Sequence, residues 1–366
     1  MARRVSIWFL LLLATALLPP ATAQAHLSAK KAIWGPGYEN GVSRFPRYRD
    51  LGVTIYQDEL DWREIAATRP QNPRDPNDPA YQWPAEVSRS LATASRYHMR
   101  VALMLIRTPG WANGGLSRRW APIDAGDFAD FAYAASRRYP GVHLWMVWGE
   151  PSRAANFKPL DGVPWGTRRL SPSQAEAPRR YSLLLDAAYV ALKQANLGNL
   201  VIGGMTYGTG DIPTWQFVRY MRLPNGRPPR MDLYGHNPFS FRRPDLRSPK
   251  SCCDVSDFSD LRRLSAWIDH YLARPNGRRH LRLYLSAFTL PTGLDADFNF
   301  HVDRRTQADW IRSAWRIVRG WSTIYAFGWI HLYDEPPRAD GGPVVTGGLL
   351  DWQGRPKPGY FAFRAG

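Results

Sequence analysis

The chain has 366 residues, of which 44% are hydrophobic and 13% aromatic, which is enough for a large core and excludes an intrinsically disordered chain. Its formal net charge is +17, and all but six of its 48 basic residues are Arg. Because these Arg residues are spread along the whole chain and accompany no nucleic-acid-binding motif, we expect no nucleic-acid partner.

The N-terminal segment has the pattern of a secretory signal peptide. A positively charged start precedes an apolar run over residues 7–18, which is too short to span a bilayer comfortably. Small residues at 23 and 25 then fit a cleavage site, so we expect a signal peptide over 1–25 and a secreted mature protein over 26–366. An uncleaved membrane anchor is the alternative.

After this segment, apolar runs rich in β-forming residues alternate with helix-like segments. Strands are predicted over 30–37, 52–62, 100–115, 142–151, 199–208, 231–240, 281–292 and 324–337. Helices are predicted over 81–99, 124–141, 177–198, 260–277, 304–321 and 356–365. Eight strands in this alternation favour an α/β fold with one (β/α)₈ TIM barrel over 26–366. A doubly wound open sheet is the alternative, but no Gly-rich phosphate loop follows an early strand.

Functional residues of such a barrel lie just after the carboxyl ends of its strands. At these points the sequence supplies aromatic and polar residues, namely Trp34, Gln57, Glu59, Asp61, Trp62, Arg107, Trp111, Trp148, Glu150, Met205, Tyr207, Tyr234, His236, Asn237, Ser286, Ala287, Thr289, Trp329, His331, Tyr333, Asp334 and Glu335. A rim of this composition suits a carbohydrate, a ring-shaped ligand with many hydroxyls. No His or Cys cluster has metal-ligand spacing, so we expect no metal or other cofactor.

Several motifs occur in the order seen in one group of enzymes. The segment "VWGEP", which contains Glu150, resembles the strand-four Asn-Glu-Pro motif of clan A glycoside hydrolases of families five and thirty-nine. The segments "LYLSAFTLPT" and "FGWIHLYDEPP" resemble their strand-seven nucleophile motif and their strand-eight Trp motif. The likeness covers nearly all of the mature chain, and it implies hydrolysis of O-glycosidic bonds in an extracellular glycan or glycoside.

The resemblance implies that Glu150 is the general acid/base, and the chemistry agrees. Breaking a glycosidic bond requires a proton on the leaving oxygen, and a Glu among aromatic residues would be desolvated enough to hold one. The alternative is a carboxylate paired with a structural Arg. The same resemblance implies substrate-binding roles for Trp62, Trp111, His236, Asn237 and Trp329, and the position at the strand ends gives the same expectation for Trp34, Glu59, Trp148, Tyr207 and Glu335. For His236 and Trp329 a purely structural role is the alternative.

Three positions depart from the pattern of the resembling enzymes. Gly149 replaces the Asn before the acid/base, Gln57 stands where strand two often has an Arg, and Ala287 occupies the nucleophile position. A methyl group cannot attack an anomeric carbon. The explanations left open are a natural loss that leaves a sugar-binding pseudoenzyme, a deliberate substitution, a misaligned motif, or a relocated role. In the last case Glu59, Asp61, Asp334 or Glu335 acts as base or nucleophile, or the substrate itself assists.

Two further features leave alternatives open. Cys252 and Cys253 are adjacent, and we predict a vicinal disulfide at the rim, although neighbouring Cα atoms are about 3.8 Å apart and such a ring is strained. The excess of Arg fits a codon bias, or attraction to an anionic cell wall or membrane surface. A basic wall- or membrane-associated structural protein is therefore a third class, besides an enzyme and a carbohydrate-binding protein.

Overall fold

The computed structural model describes residues 30–366. The predicted signal peptide over 1–25 lies outside these residues. Within the described part, no helix has the length and apolar content that a membrane crossing requires.

Eight parallel strands close into one barrel, which confirms the predicted TIM barrel. The strands are β1 (Lys31–Trp34), β2 (Ile55–Asp61), β3 (Arg100–Ile106), β4 (Leu144–Val147), β5 (Leu200–Tyr207), β6 (Leu233–Asn237), β7 (Arg282–Phe288) and β8 (Ile324–Trp329). Each strand pairs with the next along the chain, and β8 pairs back onto β1, so all carboxyl ends meet at one face. That face is where the barrel positions a functional site.

Helices surround the barrel. They are α1 (Phe45–Asp50), α2 (Trp62–Ile65), α3 (Ala85–Arg96), α4 (Gly110–Asn113), α5 (Ala125–Arg138), α6 (Glu176–Ala195), α7 (Thr214–Tyr220), α8 (Leu261–Ile268), α9 (Arg304–Gly320) and α10 (Pro358–Arg364). All six predicted helices are present, but α8 continues as a π turn (Asp269–Ala273) and a 3₁₀ turn (Arg274–Asn276). The sequence did not predict α1, α2, α4, α7 or the small hairpin that pairs Tyr38–Glu39 with Val42–Ser43.

Side-chain caps explain where the longer predicted helices begin. Asp124 accepts the backbone N–H of Gly126 at the start of α5. Asp303 accepts the N–H groups of Arg305 and Thr306 at the start of α9. Each carboxylate satisfies donors that the first helical turn leaves free and places negative charge at the positive end of the helix dipole.

The barrel interior is a packed core and not a channel. Small and medium apolar side chains fill it, namely Ala32, Ile55, Ala102, Met104, Leu144, Met146, Ile202, Met205, Leu233, Tyr284 and Ala326. Gln57 is buried among them, where it donates to the carbonyl of Ser286 at 3.0 Å and accepts from the Tyr284 hydroxyl at 2.9 Å. The residue at the place of the expected strand-two Arg therefore ties β2 to β7 and does not face a ligand.

Lys31 joins the last helix, α10, to strand β1. Its buried ammonium group donates to the carbonyl oxygens of Leu51, Phe363 and Arg364 at 2.8–3.1 Å. The last two acceptors belong to α10, so this one cation holds the final helix against the first strand.

Candidate active site

A cavity of about 690 Å³ opens at the carboxyl ends of the strands. Its floor includes Met104 and Met205, which belong to the packed barrel interior. Its walls come from the carboxyl ends of β1, β2, β6 and β7 and from the segments after β1, β3, β4 and β8. The predicted residues that line it are Trp34, Glu59, Arg107, Glu150, Met205, Asn237, Ser286, Ala287, His331, Tyr333, Asp334 and Glu335. We call this space the strand-end cavity.

The turn after β4 presents Glu150 to the strand-end cavity. Trp148 and Glu150 both have positive φ angles, +64° and +47°, so the chain leaves the strand direction as soon as β4 ends. Gly149 lies between them, and a Cβ there would stand 3.2 Å from side-chain atoms of Ile106 and Met104. An Asn at 149 would therefore require these two side chains to shift by a few tenths of an ångström.

Three donors hold the Glu150 carboxylate. Its Oε1 atom accepts from Asn237 Nδ2 at 2.8 Å, and its Oε2 atom accepts from Arg153 Nη1 at 2.9 Å and Asn156 Nδ2 at 3.0 Å. Trp148, which was expected beside the acid, packs its ring against Phe157 in the core. Glu150 also forms an ion pair with Arg153.

Asn237 connects the acid to the strand that should carry the nucleophile. Its Oδ1 atom accepts from the Ser286 hydroxyl at 2.9 Å and from the Ala287 backbone N–H at 3.1 Å. These two donors fix the orientation of the amide, so that its NH₂ group points at Glu150. The side chain is buried, and it therefore sets the position of Glu150 relative to β7.

Ala287 lines the strand-end cavity with its methyl group, at 6% exposure. The next acid along the chain, Asp295, accepts the backbone N–H and the hydroxyl of Thr346 at 2.7 and 3.0 Å. It braces the loop after β8, and it is not among the residues that line the cavity. A shifted alignment of the motif therefore does not restore a strand-seven carboxylate to the site.

The remaining acids near the site differ in how firmly they are held. Asp61 accepts from Arg107 at 2.7 Å and caps α2 through the N–H groups of Arg63 and Glu64, and it does not line the cavity. Glu59 lines the cavity and accepts a hydrogen bond from Arg107 at 2.9 Å. Of these two, Glu59 is the acid available to a ligand.

The loop after β8 contributes Asp334 and Glu335. Lys357 donates to both oxygens of Asp334 at 2.9 and 3.1 Å, and the Gly348 N–H donates at 2.8 Å. Burial raises the pKa of Asp334, and the charge of Lys357 opposes this effect. Glu335 accepts only the backbone N–H of Val345 in the described structure, and its side chain is exposed. Glu59 and Glu335 thus each accept from a single partner in the described structure.

Several predicted binding residues do not reach the cavity. The rings of Trp62, Trp148 and Trp329 are fully buried in the layer between barrel and helices. Trp329 packs against Phe288 and Phe363 and donates to the Gly347 carbonyl, so the prediction of a sugar platform there is wrong. Of the tryptophans predicted to bind substrate, Trp34 is the one that lines the cavity.

Trp111, Tyr207 and His236 also lie outside the cavity lining. Trp111 donates to the Ala66 carbonyl, and Tyr207 packs against Phe239 with the Arg153 guanidinium 4.4 Å from its ring centre. His236 is fully buried, bonded to the Thr206 hydroxyl and close to the Ser256 carbonyl, and burial lowers its pKa to about 4. A structural role, the alternative left open for this residue, is what the structure shows.

Cys252 and Cys253 are free and exposed, so the prediction of a vicinal disulfide is wrong. Adjacent Cα atoms are too close for an unstrained bridge. Cys253 also has a φ of +61° in the left-handed region.

Sequence reasoning missed several residues of the site. Arg153 and Asn156 follow Glu150 by three and six residues, in a loop that has no apolar periodicity to mark it. Arg118 and Arg119 line the cavity from the loop between β3 and α5, and Glu39 lines it from the unpredicted hairpin. The signal in the sequence was the group of polar residues directly after Glu150. The strand ends alone do not include them.

Comparisons with known proteins address the fold. No protein-family model matches this sequence, and no curated protein sequence matches it either. Among solved structures, a family 39 glycoside hydrolase from Bacteroides cellulosilyticus has 15% identity and a TM-score of 0.65, covering 92% of this chain and 62% of that one. A glucosidase from Croceicoccus marinus has 14% identity and a TM-score of 0.62, with coverages of 92% and 67%.

A family 39 enzyme from Xanthomonas axonopodis pv. citri is also similar, with 17% identity, a TM-score of 0.61 and coverages of 92% and 65%. The chain thus spans about two thirds of the length of the glycoside hydrolases to which it is similar. The expected likeness to family 39 and related glycoside hydrolases is confirmed for the barrel fold.

Proposed function

We propose that this protein is a glycoside hydrolase that cleaves O-glycosidic bonds, with Glu150 as general acid/base. One observation carries the proposal: the turn after β4 presents the Glu150 carboxylate to the strand-end cavity, and Asn237 fixes it relative to β7. The titles of the similar structures, which name a glucosidase and family 39 glycoside hydrolases, support the same class of reaction.

Three side-chain donors hold the Glu150 carboxylate in one orientation. Asn237 and Asn156 are neutral donors that hold the carboxyl group in place. Arg153 pairs with the same carboxylate through a side chain that is 38% exposed. The leaving oxygen of the glycoside then receives its proton from Glu150.

Ala287 leaves space where a retaining enzyme has its second carboxylate. We infer that a water molecule occupies the position of the missing carboxyl group, and that its base is either Glu59, which accepts from Arg107, or Glu335. An acid and a base with water between them hydrolyse a glycoside with inversion at the anomeric carbon. We therefore assign the second catalytic role to one of these two acids.

The second candidate function is carbohydrate binding without turnover. Two observations favour it: the methyl group at Ala287 and the ion pair between Arg153 and Glu150. Carbohydrate binding requires the cavity and side chains that hydrogen-bond to sugar hydroxyl groups, but it requires no nucleophile.

The N-terminal pattern over residues 1–25 supports action outside the cytoplasm, on a glycan or glycoside found there. The basic net charge would assist association with an anionic wall or membrane surface. Mass determination of the protein purified from the culture medium tests the location. A mature chain that begins at His26 is expected, and a chain retained in the cytoplasm contradicts it.

The test compares the wild type with Ala287→Glu and Ala287→Gln on nitrophenyl xylosides, glucosides, galactosides and glucuronides. Ala287→Glu restores a potential nucleophile, whereas Ala287→Gln has the same shape without one. Hydrolysis by the wild type that both variants lower supports a water held at Ala287. Hydrolysis only after Ala287→Glu supports the binding protein, and an absence of both hydrolysis and binding in all three proteins contradicts both functions.

A further inference from the structure

A second cleft, also of about 690 Å³, opens on the same face of the barrel. The loops after β4, β5, β6 and β7 form it, and its lining includes Trp165, Phe241, Asp211 and Asn299. We call it the aromatic cleft. Nothing derived above uses it.

Two large aromatic side chains of the aromatic cleft face solvent. Trp165 is 76% exposed and Phe241 is 47% exposed. Exposed rings of this size at one concave site are typical of a binding surface. Other rings support Phe241, which packs edge-on against Phe300 at 5.4 Å, and Phe300 in turn stacks on Trp310 of α9.

The backbone around Trp165 is held on both sides. The N–H of Val163 donates to the Asp211 carbonyl at 2.9 Å, and the N–H of Gly166 donates to the Asp254 carboxylate at 2.9 Å. These bonds join three different loops. The backbone that carries the indole is thus fixed, which lowers the entropic cost of stacking a ligand on Trp165.

One short segment separates the aromatic cleft from the strand-end cavity. Ala155 and Asn156 line the cavity, while the N–H of Ala154 donates to the Asp211 side chain at 2.8 Å. Asp211 lines the cleft. A ligand longer than one sugar unit that enters the cavity near Asn156 can therefore continue over this segment into the cleft.

The charge of the aromatic cleft selects among ligands that stack on aromatic rings. Its lining contains Asp211 and Asp254, and within residues 30–366 no Lys or Arg lines it. Nucleic acids and acidic sugars would meet negative charge there without a compensating cation. Neutral sugar rings offer an apolar face to the indole and hydroxyl groups to Asp211 and Asn299.

We propose that the aromatic cleft binds neutral sugar units of a carbohydrate chain whose scissile bond lies in the strand-end cavity. The substrate is then an oligosaccharide or polysaccharide and not a small glycoside. This inference rests on the proposed glycoside hydrolase function, and it adds the length and charge class of the substrate.

The two free thiols of the cleft report its occupancy directly. Cys252 and Cys253 are exposed and line the cleft. Alkylation by N-ethylmaleimide would be followed by mass spectrometry in the Glu150→Gln protein, which does not consume the sugar. Xylohexaose and cellohexaose are the probes, and xylose and glucose are the short controls. We expect at least one hexaose to slow alkylation of both thiols while neither monosaccharide does.

A pair of matched substitutions completes the test. Trp165→Ala should raise the KM for the protecting hexaose roughly tenfold, a factor that corresponds to about 1.4 kcal/mol, and leave nitrophenyl monosaccharide hydrolysis unchanged. Trp352→Ala removes a tryptophan that is 50% exposed but outside both clefts, and should change neither value.

Two negative results are distinguishable. If nitrophenyl glycosides are hydrolysed but neither hexaose protects the thiols, the aromatic cleft is not a sugar site and this inference alone is overturned. If no glycoside is bound or hydrolysed, the proposed function fails and the inference fails with it.

Discussion

Asn237 connects Glu150 and strand β7 into one hydrogen-bonded site. It accepts from Ser286 and from the Ala287 N–H on β7, and it donates to Glu150 after β4. Each of its polar atoms therefore has a partner in an environment where an unsatisfied group is costly. The missing strand-seven carboxylate leaves this frame intact.

Asn237→Ala tests whether Asn237 positions Glu150 or contributes to substrate binding. The substitution frees the Glu150 carboxylate to turn, so we expect kcat to fall by tenfold or more while KM changes much less. The free energy of unfolding should fall by about 1–3 kcal/mol, because buried hydrogen-bond partners lose their acceptor. Steady-state kinetics and urea unfolding measure the two effects. The exposed Asn225→Ala is the control, and an unchanged kcat in Asn237→Ala would refute the positioning role.

At single positions, the sequence predicted which strand ends carry functional groups but not which side chains face the cavity. Glu150, Asn237 and Ala287 were found because polar or small residues interrupt apolar runs at the carboxyl face. Trp148 and Trp329 were misassigned because successive strand residues point to opposite sides of the sheet. The positive φ at Trp148 changes that alternation locally and no composition signal marks it, whereas Trp329 follows the alternation and packs on the same outer side as Phe327.

At the scale of whole elements, the strands and the long helices followed from hydrophobic periodicity and capping residues. The one- and two-turn helices did not, because a short helix has little propensity of its own and forms through tertiary contacts. Helix α7 shows this dependence: after Pro213 it buries Trp215, Phe217 and Val218 against its neighbours. The loops that form both clefts have no periodicity at all, so their shape could not be predicted.

Strand β6 makes the stability of the fold depend on pH through His236. Burial lowers the pKa of His236 to about 4, below the ordinary 6.5, so between these values the unfolded chain binds a proton that the folded chain does not. The contribution of neutral His236 to the free energy of unfolding is complete above pH 6.5. It declines by about 3 kcal/mol as the pH falls toward 4.

Urea unfolding at a series of pH values measures this decline. His236→Asn should remove most of it, since no group then titrates at that buried position, whereas the exposed His301→Asn should keep the wild-type slope. Parallel curves for His236→Asn and the wild type would show that other groups cause the acid sensitivity.

At the scale of the whole molecule, the barrel places two clefts side by side on its carboxyl face. The strand-end cavity contains the acid Glu150, and the aromatic cleft contains Trp165 on a braced loop. The barrel was predictable because eight alternating units leave few other architectures. The adjoining clefts were not, because they arise where four loops meet and depend on contacts such as that of Ala154 with Asp211.

The measurement that tests the central claim most directly is the dependence of Glu150→Gln on the leaving group. A general acid matters for glycosides with poor leaving groups, such as methyl glycosides and disaccharides, and matters little for dinitrophenyl glycosides, whose leaving group needs no proton. We predict that Glu150→Gln lowers kcat/KM by roughly 10²–10⁴-fold on the first kind and far less on the second. The exposed Glu64→Gln should match the wild type on both. An equal loss on both kinds of substrate, or no loss on either, would contradict the role of Glu150 as general acid.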